Sequence, residues 1–164
     1  VFFLKPSSSV IEFGEIETCG GDVHHEIELV VKLGEGLKPT HMALGLDLTK
    51  RSIQDMLKEK RLPWAEAKAF TGAAVLGKWV EFDERANFQL QVNGKNVQTG
   101  FLEKMSWSVD ELISKLADWA PIGRGDILFT GTPSGVGPLN AGDEVTALLY
   151  VDGEVVSTHS ATCV

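Results

Sequence analysis

The sequence has no long hydrophobic run and no excess of basic charge, and it is poor in cysteine, proline and tyrosine. Two cysteines, six prolines and one tyrosine occur among 164 residues. No apolar stretch approaches the roughly 20 residues that a helix needs to cross a bilayer, so no helical membrane span is expected. Fifteen Lys and Arg stand against 23 Asp and Glu, a formal charge of −8. That is the wrong sign for gripping a phosphate backbone, so nucleic acid is not an expected partner. Cys19 and Cys163 form neither a C-x-x-C pair nor a set of staples, which points to a reducing compartment. Cytoplasm is the default, and an organelle matrix would look the same. Neither thiol has a nearby base that would make it a nucleophile. The nucleophile elbow G-x-S-x-G is also missing, since "PSGVG" is not that pattern.

What is present reads as a globular chain. Hydrophobic residues make up 43% and charged residues 23%, and the length suits one domain with a single substantial core. Many short strands punctuated by turns predict a mostly β, α+β fold. "NFQLQVNGKNVQTG" (87–100) alternates around Asn93-Gly94, a pair that tolerates the positive φ of a tight hairpin turn. The stretch 147–163 repeats this around Asp152-Gly153. A helix is expected over 109–119, opened by a Ser108/Glu111 capping box and striped by Leu112, Ile113, Leu116 and Trp119. A second helix, about 50–60, carries Ile53, Met56 and Leu57 on one side and follows "MALGLDL", a buried-strand signal. The strand-like opening "VFFLKP" starts at Val1 rather than Met, and further residues are expected upstream.

Two stretches carry chemistry. Read as one strand, "DVHHEIELVV" (22–31) puts His24, Glu26 and Glu28 on one face and His25, Ile27, Leu29 and Val31 on the other. Two carboxylates on one face without a cation between them are either solvated or, if half-buried, in need of a counter-charge. A hard divalent ion held by oxygen ligands is one solution, and it calls for a third acid. Asp47 interrupts the apolar run "ALGLD" and qualifies, although it also reads as a residue leading into a helix. His24 is a ligand, an acid-base group or a hydrogen-bonding neighbour, and His25 reads as structural. His41 and His159 have no evident partner. The second stretch, "DILFTGTPSGVGPL" (126–139), offers Gly131, Gly135, Gly137 and Thr132 to an approaching ligand, or is a plain glycine-rich turn. It is not a phosphate-binding Walker loop.

Taken in order, "FFLKP", "VHHEIEL", "GLDLTKRSIQ", "LPWAEAKAF", "GDILFTGTPSGVGPL" and "AGDEV" closely resemble the fumarylacetoacetate hydrolase family, nearest to its short, single-domain members acting on acylpyruvates and oxaloacetate. The resemblance spans essentially the whole chain. It implies a mixed β-roll or barrel with a few peripheral helices, a homodimer, and Mg2+ or Mn2+ held by Glu26, Glu28 and Asp47. It makes Lys68 the active-site lysine, places Arg51 and Gln54 near substrate oxygens, and gives Thr132 and Gly131 a substrate carboxylate or oxo group to bind. The implied substrates are small 2-oxo acids, with C–C cleavage of acylpyruvates or decarboxylation and tautomerisation of oxaloacetate sharing one enolate. The alternatives are an isomerase or decarboxylase of the 2-hydroxyhepta-2,4-diene-1,7-dioate type and a catalytically silent binding domain of the same fold. Relatives carry an upstream G-x-N-Y-x-x-H-x-x-E segment, a lid and general-base dyad, that this chain does not match. The stretch between Leu37 and Met42 is shorter than the resemblance leads one to expect. Ser52 also replaces an Asp common after the Arg, which bears on how Arg51 and Gln54 are oriented.

Overall fold

In the computed structural model, which describes residues 1–164, strands dominate and form three sheets. A six-stranded mixed sheet runs in the order Val10–Glu12, Ala74–Leu76, Pro39–Asp47, Ile27–Leu33, Ile127–Phe129, with Val80–Glu81 added beside Pro39–Asp47. A five-stranded sheet runs Lys95–Phe101, Asn87–Val92, Glu144–Val151, Glu154–Cys163, Glu15–Ile16. A small sheet joins Gly137–Pro138, Val23–His25 and Thr49–Lys50. None of the three closes on itself, so the chain is a roll and not a barrel.

Local signals placed the hairpins. Asn93 and Gly94 take φ of 53° and 74°, and Asp152 and Gly153 take 52° and 84°, turning the strands on either side back on each other. Both large sheets feed one core: Leu29, Val31, Leu44 and Leu46 from the first meet Leu90, Val145 and Leu149 from the second, all essentially without exposure. Burying such side chains is worth about 1.5–3 kcal/mol each, the main driving force of the fold.

Three helices surround this core: α1 (Arg51–Glu59), α2 (Ala65–Lys68) and α3 (Val109–Ala117). The capping box on α3 is complete, Ser108 accepting from the Glu111 amide and Glu111 from the Ser108 amide. Val109 and Ile113 face the core, whereas Trp119 lies beyond the helix end, 59% exposed and 6.3 Å from the Phe2 ring. In α1 the buried positions are Gln54 and Leu57, while Met56 looks outward. The expected apolar stripe of α1 is thus replaced in part by a buried amide, for a reason found in the site.

Residues 22–31 are not one continuous strand. Val23–His25 belongs to the small sheet and Ile27–Leu33 to the large one, and the chain changes sheets at Glu26. At that switch the Glu26 carbonyl accepts from the Asp47 amide at 2.8 Å, and the Ile27 amide donates to Gln98 Oε1 at 3.1 Å. From Ile27 to Val31 both faces are buried, so the expected half-exposed alternation gives way to a central strand. The short connection after Leu33 is a tight turn, closed by the Gly34 amide on the Lys38 carbonyl at 2.8 Å.

Candidate functional site

The sheet switch at Glu26 and the antiparallel pairing of Ile27–Leu33 with Pro39–Asp47 bring three acids together. Glu28 lies opposite Gly45 in the register, and Asp47 ends the same strand two residues on. A Cβ on Gly45 would come within 2.6 Å of Phe129 and Val30, so glycine keeps this register packed. Glu26, Glu28 and Asp47 are all buried, and one oxygen from each lies within 4.8 Å of the others. In a low-dielectric interior such a cluster is costly without compensating cations.

Cations surround it unevenly. Lys68, the last residue of α2 and 2% exposed, sends Nζ to Asp47 Oδ2 at 2.6 Å, Thr49 Oγ1 at 2.5 Å and Glu26 Oε2 at 2.9 Å. The Phe3 ring covers its other side, 5.0 Å from Nζ. Arg51, opening α1, donates Nη2 to Glu26 Oε1 and Nη1 to Gln54 Oε1, each at 2.5 Å, and Nε to His24 Nδ1 at 3.4 Å. Gln54 is buried because it is a partner of this guanidinium. The turn into α1 is fixed by Asp22, whose carbonyl takes the Arg51 amide and whose carboxylate takes the Ser52 amide. Asp22 thereby secures Arg51 from a position that Ser52 does not need to supply.

Lys5 is a third cation that the sequence reading passed over. Its Nζ lies 2.8 Å from Asp47 Oδ1 and donates to the carbonyls of Lys68 at 2.5 Å and Ala73 at 2.8 Å. A lysine inside the apolar run "VFFLKP" was the signal available. Gln98 was missed as well, with no local signal to mark it. Its Oε1 receives the Ile27 amide and pairs with His25 Nδ1, and its Nε2 donates to Thr132 Oγ1 and the Pro133 carbonyl.

The charge balance leaves Glu28 behind. Burial first, then the neighbouring Asp47 charge, push its pKa up to about 8. Asp47 is also raised by burial, a shift that Lys5 and Lys68 reduce without cancelling. Burial works against Glu26 too, yet Lys68 and Arg51 outweigh it and hold that carboxyl below its usual range. Asp47 Oδ1 receives no hydrogen bond, its contact with Lys5 being one of charge without directed geometry. Two buried acids with unmet demand, in an all-oxygen donor set, fit a hard divalent cation.

Gly131 and Thr132 flank the cluster. At φ 104° Gly131 turns its amide to Glu28 Oε2, 2.6 Å away. Thr132 gives its hydroxyl proton to the Ile27 carbonyl at 2.8 Å, so donating to a substrate oxygen requires that hydroxyl to turn. His25 is buried and structural, as expected. His159 stacks on Phe13 at 5.0 Å and accepts from the Lys78 amide, and His41 lies at the exposed end of its strand.

The sequence profile described as fumarylacetoacetate (FAA) hydrolase C-terminal matches residues 1–160. Oxaloacetate tautomerase YcgM of Escherichia coli K12 is 33% identical over 178 residues, covering 97% of this chain and 80% of the relative. The mitochondrial oxaloacetate tautomerase FAHD1 of Bos taurus is 34% identical over 168 residues, covering 92% of this chain and 76% of the relative. Among solved structures, fumarylpyruvate hydrolase from Pseudomonas aeruginosa in complex with Mn2+ and pyruvate superposes with a TM-score of 0.89. It shares 30% identity and covers 100% of this chain and 78% of that one. The chain belongs to the fumarylacetoacetate hydrolase family.

Proposed function

We propose that this family member is a divalent-cation-dependent enzyme that forms and stabilises the enolate of a small 2-oxo acid, cleaving a C–C bond of acylpyruvates or decarboxylating or tautomerising oxaloacetate. The observation that carries the reading is the trio Glu26, Glu28 and Asp47, buried and mutually within 4.8 Å, with Glu28 short of partners. The relatives named for oxaloacetate tautomerisation and fumarylpyruvate hydrolysis support it.

In this reading the three carboxylates hold Mg2+ or Mn2+. When bound, such an ion supplies Lewis-acid polarisation of a keto oxygen and a fixed positive charge beside it. The protein's own groups do the rest. Lys68 and Arg51 hold both oxygens of Glu26, which fixes that carboxylate's direction. Their positive charges also face the cluster where a substrate oxygen gains negative charge, and preorganised donors of this kind are worth about 2.7–4 kcal/mol apiece. Gln54 keeps Arg51 in place through the 2.5 Å contact. Phe3 excludes water from one side of Lys68, which strengthens its charge. Gly131 and Thr132 lie beside Glu28 and meet the substrate's carboxylate there, the Thr132 hydroxyl turning from the Ile27 carbonyl to do so.

The reading takes residues 1–164 as one catalytic domain, working as a homodimer in the cytoplasm or, in a eukaryotic source, the mitochondrial matrix. The mitochondrial name of the bovine relative supports the second location. No helix is long and apolar enough to cross a membrane. The test is turnover of oxaloacetate, acetylpyruvate and fumarylpyruvate by EDTA-treated protein, before and after Mg2+ or Mn2+ is returned. Cation-restored turnover of at least one substrate is expected. Turnover that EDTA does not touch contradicts the reading, and no turnover under any condition favours a silent binding domain.

A further inference from the structure

Gln98 is 2% exposed, and every hydrogen-bonding position of its amide is filled. It lies in Lys95–Phe101, an edge strand of the five-stranded sheet, at a register shift between Asn96 and Gln98 of the kind that re-aims a side chain. The glycine-rich turn packs directly on this bulge, since a Cβ on Gly135 would strike the Val97 carbonyl. Gln98 Oε1 receives the Ile27 amide at 3.1 Å and stands 2.9 Å from His25 Nδ1, while Nε2 donates to Thr132 Oγ1 and the Pro133 carbonyl, each at 2.9 Å. The Ile27 amide can only donate and the Pro133 carbonyl can only accept. The Gln98 amide therefore has one possible orientation, and His25 carries its proton on Nδ1.

The backbone of Ile27 explains this arrangement. The Asp47 amide donates to the Glu26 carbonyl, so the next pair in the register, Ile27 and Leu46, is one without hydrogen bonds between its members. The N–H and C=O of Ile27 thus face away from Leu46, toward the side where strand Ile127–Phe129 has already ended. There Thr130 still gives its amide to the Leu29 carbonyl at 3.1 Å, and the chain then turns at Gly131. In place of a neighbouring strand, a ring of side chains closes on Ile27. Its N–H goes to Gln98 Oε1, Gln98 Nε2 donates to Thr132 Oγ1, and the Thr132 hydroxyl proton returns to the Ile27 carbonyl at 2.8 Å.

The structure assigns Gln98 a positioning role in substrate binding: its N–H holds the Thr132 oxygen still while the hydroxyl proton passes from the Ile27 carbonyl to a substrate carboxylate. The inference rests on the reading above, in which Thr132 meets that carboxylate, and names the residue that sets it. A hydroxyl carries one proton and two acceptor lone pairs. With Gln98 engaging one lone pair, the oxygen stays in place and only its proton is free to turn. Ile27 lies between Glu26 and Glu28, so the same amide ties the carboxylate-binding turn to the strand that carries two of the three acids.

Two measurements test this. The first is a double-mutant cycle on oxaloacetate or acetylpyruvate turnover at saturating Mg2+. Gln98→Met, which keeps the length of the side chain and loses its four hydrogen bonds, should raise KM about tenfold, the loss of one well-aimed hydrogen bond to a charged group, with less change in kcat. In a Thr132→Val background the same substitution should change KM by less than about twofold, because the residue it acts through is gone. A merely structural role gives the same change in KM in both backgrounds, and that result overturns the proposal. The second measurement uses the unaltered protein, so it stands even where Gln98→Met does not fold. The Gln98 side-chain N–H resonances, assigned by Overhauser contacts to the Thr132 methyl group, are followed by NMR in Mg2+ before and after pyruvate is added. They should shift together with the Gly131 amide as the Thr132 proton turns. A Gly131 amide that shifts while Gln98 does not overturns the positioning role and keeps the substrate reading. Pyruvate that moves neither overturns both. Gln98 resonances that shift in a protein with no turnover keep the positioning role and remove the catalytic reading.

Discussion

Glu28 receives a single hydrogen bond, from the amide of Gly131 at 2.6 Å, although it is one of three carboxylates packed in the interior. Glu26, two residues earlier, takes both Lys68 and Arg51. This inequality between neighbours sets the behaviour expected of the protein with and without a cation.

The contribution of Glu28 to the stability of the cation-stripped protein should fall as pH rises. Glu28 has a folded pKa of about 8, above its ordinary 4.5, so the folded state holds a proton that the unfolded state has lost over that range. Its contribution is fully present below about 4.5 and is lost as pH rises through 8. Asp47, also raised, acts in the same direction. Glu26 is lowered, and its contribution disappears only in acid, below the usual carboxylate range. His24, His25 and His159 are held low by burial and push the other way at about pH 6, so the comparison is with Glu28→Gln. In EDTA the urea midpoint of the wild type should fall relative to that of Glu28→Gln between about pH 5 and pH 8, and a difference that does not change with pH contradicts the assignment.

Glu28→Gln should separate cation binding from folding. The amide keeps the shape and can still accept from Gly131, while the uncompensated charge is gone. At pH 8 in EDTA the variant should be at least as stable as wild type, because replacing a poorly paired buried charge with a neutral isostere is neutral or favourable. Calorimetric titration of Mn2+ should show affinity reduced by two orders of magnitude or more. Wild-type affinity would remove Glu28 from the ligand set.

Lys5→Met should do the opposite. It strips Asp47 Oδ1 of its nearby charge and leaves the Lys68 and Ala73 carbonyls without their shared donor. A loss of about 3–5 kcal/mol is expected, as for other broken buried pairs. Urea melts at pH 7 measure it, and a loss under about 1 kcal/mol would show that water replaces the ammonium.

The contrast between these residues explains what could be read from the chain. The Ser108 capping box and the Asn93-Gly94 and Asp152-Gly153 turns were legible because each is decided by residues a few positions apart. Glu26, Glu28 and Asp47 were legible as candidates because charge stood out against apolar surroundings. Lys5 was not, since its partners lie 42 to 68 residues away and its place in the apolar run "VFFLKP" marks it as unusual without naming any of them. The break at Glu26 was equally hidden. A strand that changes sheets keeps its alternating pattern in sequence, and the switch is set by Asp47 and Gln98 from elsewhere in the fold.

Gly45→Ala probes the register that positions Glu28. The added methyl would meet the Phe129 ring and a Val30 methyl at 2.6 Å, so these packed side chains, or the strands that carry them, must shift. Overpacking of this kind costs about 1–3 kcal/mol, and the displaced Glu28 should weaken Mn2+ binding together with stability. Thermal melts and calorimetry on the same sample check the pair. A stable variant with unchanged Mn2+ affinity would show that the register tolerates the methyl.

The central claim is that Glu26, Glu28 and Asp47 together hold one divalent cation. Diffraction at the manganese absorption edge from crystals grown with millimolar Mn2+ tests it directly. The account predicts a single strong anomalous peak with an oxygen of each carboxylate about 2.0–2.3 Å away. Ordered crystals with no peak among the three carboxylates, and Lys68 still bridging Glu26 and Asp47, would contradict it.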